Sequence, residues 1–132
     1  MPALPPEPPR IEYRIPHVTV PARCLFAEAL SAAIWRAEGG ARACTPYGIL
    51  SMKVRSRAHG HHITLVSIQA NWRRWIDAGC PGGDSREAFV RYMSIRWCPA
   101  SVDPVGNANW VRNVCALLER ELAKEQMLTA VR

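Results

Sequence analysis

Several features are missing from this 132-residue chain, and each absence removes a class of function. No apolar run approaches the roughly 20 residues that a transmembrane helix needs. No GxSxG nucleophile elbow and no glycine pattern of the phosphate-cradling kind occurs, which removes serine hydrolases of that type and P-loop or dinucleotide-binding chemistry. The five cysteines include no CxxC pair, and their spacing fits no zinc ligand set. Buried reduced thiols are the expectation, with up to two disulfides as the alternative in an oxidising compartment. Acidic residues are few: 11 Asp plus Glu stand against 17 Lys plus Arg, a formal charge of +6. That sign favours polyanionic partners such as nucleic acid, anionic lipid or bacterial cell wall, without choosing among them.

What is present reads as one globular domain. Six of the eleven prolines fall in residues 1–16, which are expected to form an extended arm, and residues 17–132 a single domain. The opening MPALPPEPPR has no apolar signal-peptide core. The expectation is therefore a cytoplasmic chain, one exported by another route, or a mature or single-domain form. After a short extended IPHVTVP, a first helix is expected from Pro21 to about Glu38, with Phe26, Leu30 and Ile34 in one apolar row and Leu25, Ala29, Ala33 and Ala37 beside it. Tyr47 to Arg57 reads as a short strand, hairpin arm or loop.

A second helix is predicted over Ile63 to about Ala78, and a third with Asp84 as N-cap, Glu87 completing a capping box, and Phe89, Tyr92, Met93 and Trp97 on its inner face. A fourth is predicted from about Asn109, using Trp110, Val114, Leu117, Leu118 and Leu122, with its tail fraying beyond Lys124. The fold class is mainly α: a compact bundle of about four or five helices with at most a small β-hairpin.

Glu38 is the residue out of place. It continues the buried row of the first helix, four residues after Ile34, just before Gly39-Gly40 end the helix. The negative end of the helix dipole and partial burial both disfavour an ionised carboxylate there, the direction that a general acid needs. The competing reading is a frayed end with Glu38 in water. Downstream stand aromatics and amides (Tyr47, Ser51, Tyr92, Trp97, Asn107, Asn109, Trp110), the residue types that stack on sugar rings and bond their hydroxyls. The AHGHH histidines, expected in a solvated loop before the second helix, lack a carboxylate or thiolate at ligand spacing, so no metal or other cofactor is expected. Trp72 and Trp75 in NWRRW fall on the apolar row and read as core.

These residues resemble a known family. Ala37-Glu38-Gly39-Gly40 followed by Pro46-Tyr47-Gly48-Ile49-Leu50-Ser51 is similar to the lysozyme-like superfamily of lytic transglycosylases and goose-type lysozymes. There a glutamate closes the first domain helix, and a loop commonly ending Gly-Leu-Met-Gln follows. The segments FVRYMSIRWCP and DPVGNANWVRNV resemble the closing part of compact phage- and bacterium-associated members, so the likeness runs from about Ile15 to Leu118. Ser51 stands where the family commonly has glutamine, and Tyr92 or Asn109 would substitute for its Tyr-Asn-Ala-Gly-like motif.

The resemblance implies an α+β lysozyme-like fold and a peptidoglycan-cleaving activity with Glu38 as acid and base. It implies Tyr47 and Ser51 lining the cleft, Tyr92 and Asn109 orienting the sugar, and peptidoglycan glycan strands as partner. Carriage in a phage particle or a secretion assembly would bring such a domain to the cell envelope. Asp84 and Asp103 are the only loop candidates for a second carboxylate. Two alternatives remain at this point: a non-cleaving relative that binds glycan or serves a larger assembly, and a basic module that binds nucleic acid or protein through Arg73, Arg74, Arg91 and Arg96.

Overall fold

The computed structural model describes the backbone of residues 13–15 and 18–131 and the side chains of residues 20–130. Of the proline-rich arm expected over 1–16, the rest lies outside the described residues; its last described part is a strand. Strand β1 (Tyr13–Ile15) pairs antiparallel with β2 (Val18–Val20), with Arg14 opposite Thr19. The expected arm boundary therefore falls inside a small hairpin. The chain is otherwise mainly helical: α1 (Ala27–Ala37), α2 (Arg57–Asp77), α3 (Arg86–Met93) and α4 (Pro104–Val131). Short 3₁₀ turns lie at Gly40–Arg42, Pro46–Gly48 and Ser94–Arg96.

The apolar rows predict the core well. Leu30 and Ile34 of α1, Ile68, Trp75 and Ile76 of α2, Phe89 and Met93 of α3, and Val114 and Leu118 of α4 are buried together. α1 lies chiefly against α4 and also on α2. Trp72 and Trp75 are core, as the spacing implies: Trp72 meets Phe89 edge-on at 4.8 Å, and Trp75 lies 5.4 Å from the same ring. Each buried indole also needs a partner for its N–H. Trp72 donates to the Pro21 carbonyl and Trp75 to that of Pro81.

Helix ends differ from expectation for local reasons. α1 starts at Ala27 and not near Pro21, because α2 captures the backbone of the preceding segment. Gln69 accepts from the Cys24 N–H at 2.9 Å and donates to the Cys24 carbonyl at 3.0 Å, so those peptide groups do not wind into a helix. Leu25, expected inside, is exposed as a result. α2 starts at Arg57, six residues before Ile63, because Ser56 accepts from the His59 N–H; AHGHH is its first turns and not a loop. α4 starts at Pro104, with Asp103 accepting from the Gly106 N–H at 2.8 Å, and it continues to Val131 without stopping near Lys124.

The third helix is capped by Ser85, whose hydroxyl accepts from the Ala88 N–H at 3.0 Å, and not by Asp84. It ends at Met93, and Trp97 lies beyond the following 3₁₀ turn. Ser85→Ala should therefore cost about 1 kcal/mol in urea denaturation and Asp84→Ala only a few tenths. The reverse order would restore Asp84 as the cap.

All five cysteines are free thiols. Burial pushes the Cys24 thiol up to about 12, and burial together with nearby Glu87 pushes Cys115 up to about 11, so both act as small apolar packing groups.

Candidate functional site

The site grows from the end of α1. The Glu38 N–H still bonds back to the Ile34 carbonyl at 2.9 Å, while Gly39 turns to φ 107°, a left-handed conformation that glycine adopts without strain. The helix thus closes tightly after Glu38. Its side chain does not swing freely into water, because α4 supplies a partner: Trp110 Nε1 donates to Glu38 Oε2 at 2.8 Å. Asp103 and Pro104 fix the start of α4, which carries Trp110 in its second turn.

A loop closes over the carboxylate. Tyr47 sits at φ 60°, which is strained for an L-residue, and its ring is buried 5.1 Å from that of Trp35. Gly60 of α2 makes room for it: a Cβ there would lie 2.8 Å from Tyr47 Cδ2. The Tyr47 carbonyl accepts from Trp97 Nε1 at 2.8 Å, and the Trp97 ring stacks on Trp110 at 5.6 Å and 21°. Gly48 follows at φ 67°, flush against the acid: a Cβ on it would lie 2.7 Å from Glu38 Cδ. Trp97 thus ties the loop to the same indole that holds Glu38.

Gly48 also lines a cleft of about 470 Å³, together with Ile49, Leu50 and Ser51 of the loop, Thr64 and Ser67 of α2, and Arg96 and Trp97. This volume is ample for a sugar-sized ligand. Glu38 Oε2 is engaged by the indole, whereas Oε1 is neither buried nor bonded among the described residues. One oxygen fixes the group and the other is available for proton transfer. Neither candidate second carboxylate lines this cleft: Asp103 caps α4, and Asp84 is exposed before α3.

Of the residues singled out from the sequence, Ser51 lines this cleft itself, whereas Glu38 borders it only by abutting Gly48. Tyr47 precedes Gly48 in the loop but does not line the cleft: its carbonyl holds Trp97, while its ring packs inward and faces a separate hollow shared with Arg57 and His61. Tyr92 does not reach the site. It falls at the edge of the α3 core face set by Phe89, Val90 and Met93, and lines another cleft with Ser85 and Arg91. Asn109 is exposed on α4 and accepts from Arg112 at 2.9 Å, so it has a partner of its own. Asn107 is structural, donating to Ser94 Oγ and the Cys98 carbonyl.

Trp97 and Trp110, read from the sequence as inner-face and sugar-stacking aromatics, act here through their N–H groups, a role that sequence reasoning missed. The available signal was their indole N–H groups, each of which needs an acceptor when partly buried. Among the described residues no group of three or more His, Cys, Asp and Glu stands close enough to hold a metal. His61 instead pairs with Glu28 at 2.9 Å, and His59 accepts from the Arg55 N–H. No helix among them is long and apolar enough to cross a membrane. No protein-family model, curated protein or solved structure matches the chain.

Proposed function

We propose that the chain is a peptidoglycan-cleaving domain of the lytic transglycosylase kind, with Glu38 as general acid and base. The observation that carries this reading is the Glu38 carboxylate, held by Trp110 against Gly48, itself a residue of the cleft wall, with Oε1 unengaged. The sequence likeness of the helix end, the Pro-Tyr-Gly loop and the Asp-Pro/Trp segment to that superfamily supports it independently. In this chemistry Glu38 delivers its proton to the oxygen linking N-acetylmuramic acid to the next sugar, and the C1–O bond breaks. The carboxylate then withdraws the proton of the muramic 6-hydroxyl, whose oxygen closes on C1 as a 1,6-anhydro ring. No water and no second carboxylate are needed, which suits a chain whose Asp103 is engaged as the cap of α4 and whose Asp84 is exposed before α3.

The basic-module alternative is weakened by local pairing: Arg73 lies 3.6 Å from Asp77, and Arg91 2.6 Å from Glu87. Much of that supposed patch is neutralised within its own helices.

The test is release of muropeptides from purified sacculi, with product ends read by mass spectrometry. Anhydro ends are expected; reducing ends would replace the transglycosylase with a lysozyme, and intact sacculi together with salt-sensitive DNA binding would overturn the reading altogether. Trp110→Phe keeps the ring but removes the donor that orients Glu38. It should lower kcat about 10- to 100-fold with KM little changed. An unaltered kcat would show that the indole hydrogen bond has no catalytic consequence.

A further inference from the structure

Thr64 is the least explained polar residue in the cleft. Its side chain is 1% exposed, lines the cavity, and its hydroxyl has no hydrogen-bond partner. A buried hydroxyl without a partner costs stability, so its retention beside an open cavity points to a ligand that completes it. One helical turn on, Ser67 is already served as an acceptor: Asn71 Nδ2 donates to its carbonyl at 2.8 Å and to its Oγ at 3.3 Å, leaving its own O–H to donate. Arg96, at the end of the 3₁₀ turn that leads to Trp97, lines the same cavity and makes no ion pair among the described residues. Three residues with unspent donors, one of them a cation, thus line one space whose remaining walls include Ile49 and Ile63.

We infer that Thr64, Ser67 and Arg96 form a subsite for a carboxylate of the substrate, borne on a short, partly apolar arm. A planar guanidinium with two hydroxyl donors matches the acceptor-only carboxylate, and the apolar walls fit the arm. Resting on the reading of the cleft as a peptidoglycan site, this assigns the recognised group to either the lactyl carboxylate of muramic acid or a carboxylate of its peptide stem. The two sources share the chemistry and differ in the arm.

Binding to the Glu38→Gln protein tests the subsite without turnover. Two pairs of probes separate the sources: N-acetylmuramic acid against N-acetylglucosamine, and a stem tripeptide against the same peptide with amidated carboxyls. In calorimetry or NMR titration the acid of at least one pair should bind about tenfold or more tighter than its neutral partner, and Arg96→Gln and Thr64→Val should each remove most of that preference. Thr64→Val should at the same time leave the melting temperature unchanged or raise it by a few degrees, because it deletes an unpaired hydroxyl. Absence of preference in both pairs, a preference that survives Arg96→Gln, or a fall in melting temperature for Thr64→Val would overturn the subsite. Intact sacculi with wild-type protein, alongside an Arg96-dependent acid preference, would sink cleavage and leave the carboxylate site standing.

Discussion

Glu38→Gln should lower muropeptide release from sacculi by at least about 100-fold, the low end of what a positioned acid/base contributes, with the melting temperature within a few degrees of the parent. Glutamine has the same length, and its amide oxygen can still accept from Trp110 Nε1, so the packing of α1 against α4 survives. What it lacks is a proton to give at the Oε1 position and a carboxylate to take one back. Both half-reactions fail together, so kcat should fall while binding of glycan is retained. Wild-type turnover by a folded Glu38→Gln protein would remove Glu38 from the mechanism, whatever the products.

The comparison with Trp110→Phe gives this result its meaning. Glutamine removes the reacting group and keeps the hydrogen bond, whereas phenylalanine keeps the reacting group and removes the bond. If Glu38 were merely a structural acceptor for a half-buried indole, the difference would vanish: Trp110→Phe would be tolerated, and Glu38→Gln would be silent. The larger loss in Glu38→Gln therefore separates chemistry from packing.

The sequence disclosed the helices and the odd placement of Glu38 because both are local signals. Period-3.6 rows locate Leu30, Ile34, Ile68, Trp75, Phe89 and Leu118 in the core, and two glycines after Glu38 mark the helix end. The starts of α1, α2 and α4 were less legible because the deciding bonds are specific: a Gln69 side chain that takes the Cys24 peptide, a Ser56 cap well before the first apolar row, and an Asp103-Pro104 pair. The last reads equally as a turn or as N-cap followed by N1. AHGHH looked like a loop because of its glycine. Yet Gly60 is there to admit the Tyr47 ring against α2, a requirement visible only once the loop is folded back. The pairing of Trp110 with Glu38 spans 72 residues, and periodicity carries no information about such partners. It placed Trp110 on an inner face and was silent about its N–H.

Gly48→Ala should be the most damaging substitution outside Glu38, and two separable costs make it so. The first is backbone: φ 67° disfavours any L-residue by about 1–2 kcal/mol. The second is contact, since the new Cβ would lie 2.7 Å from Glu38 Cδ and 2.9 and 3.0 Å from its two oxygens. The carboxylate is held by Trp110, whose ring is itself stacked on Trp97, so the acid cannot withdraw without disturbing that pair. Overpacking of this kind adds about 1–3 kcal/mol, and displacement of the acid by a fraction of an ångström to one ångström should cost up to about 100-fold in turnover. Gly79→Ala is the matched control, because Gly79 has φ 84° with nothing within 4 Å of its would-be Cβ. It should show the backbone cost alone in thermal denaturation and full activity. If Gly48→Ala were no worse than Gly79→Ala in stability and left turnover unchanged, the carboxylate would not be seated against Gly48, and the cleft would lose its connection to Glu38.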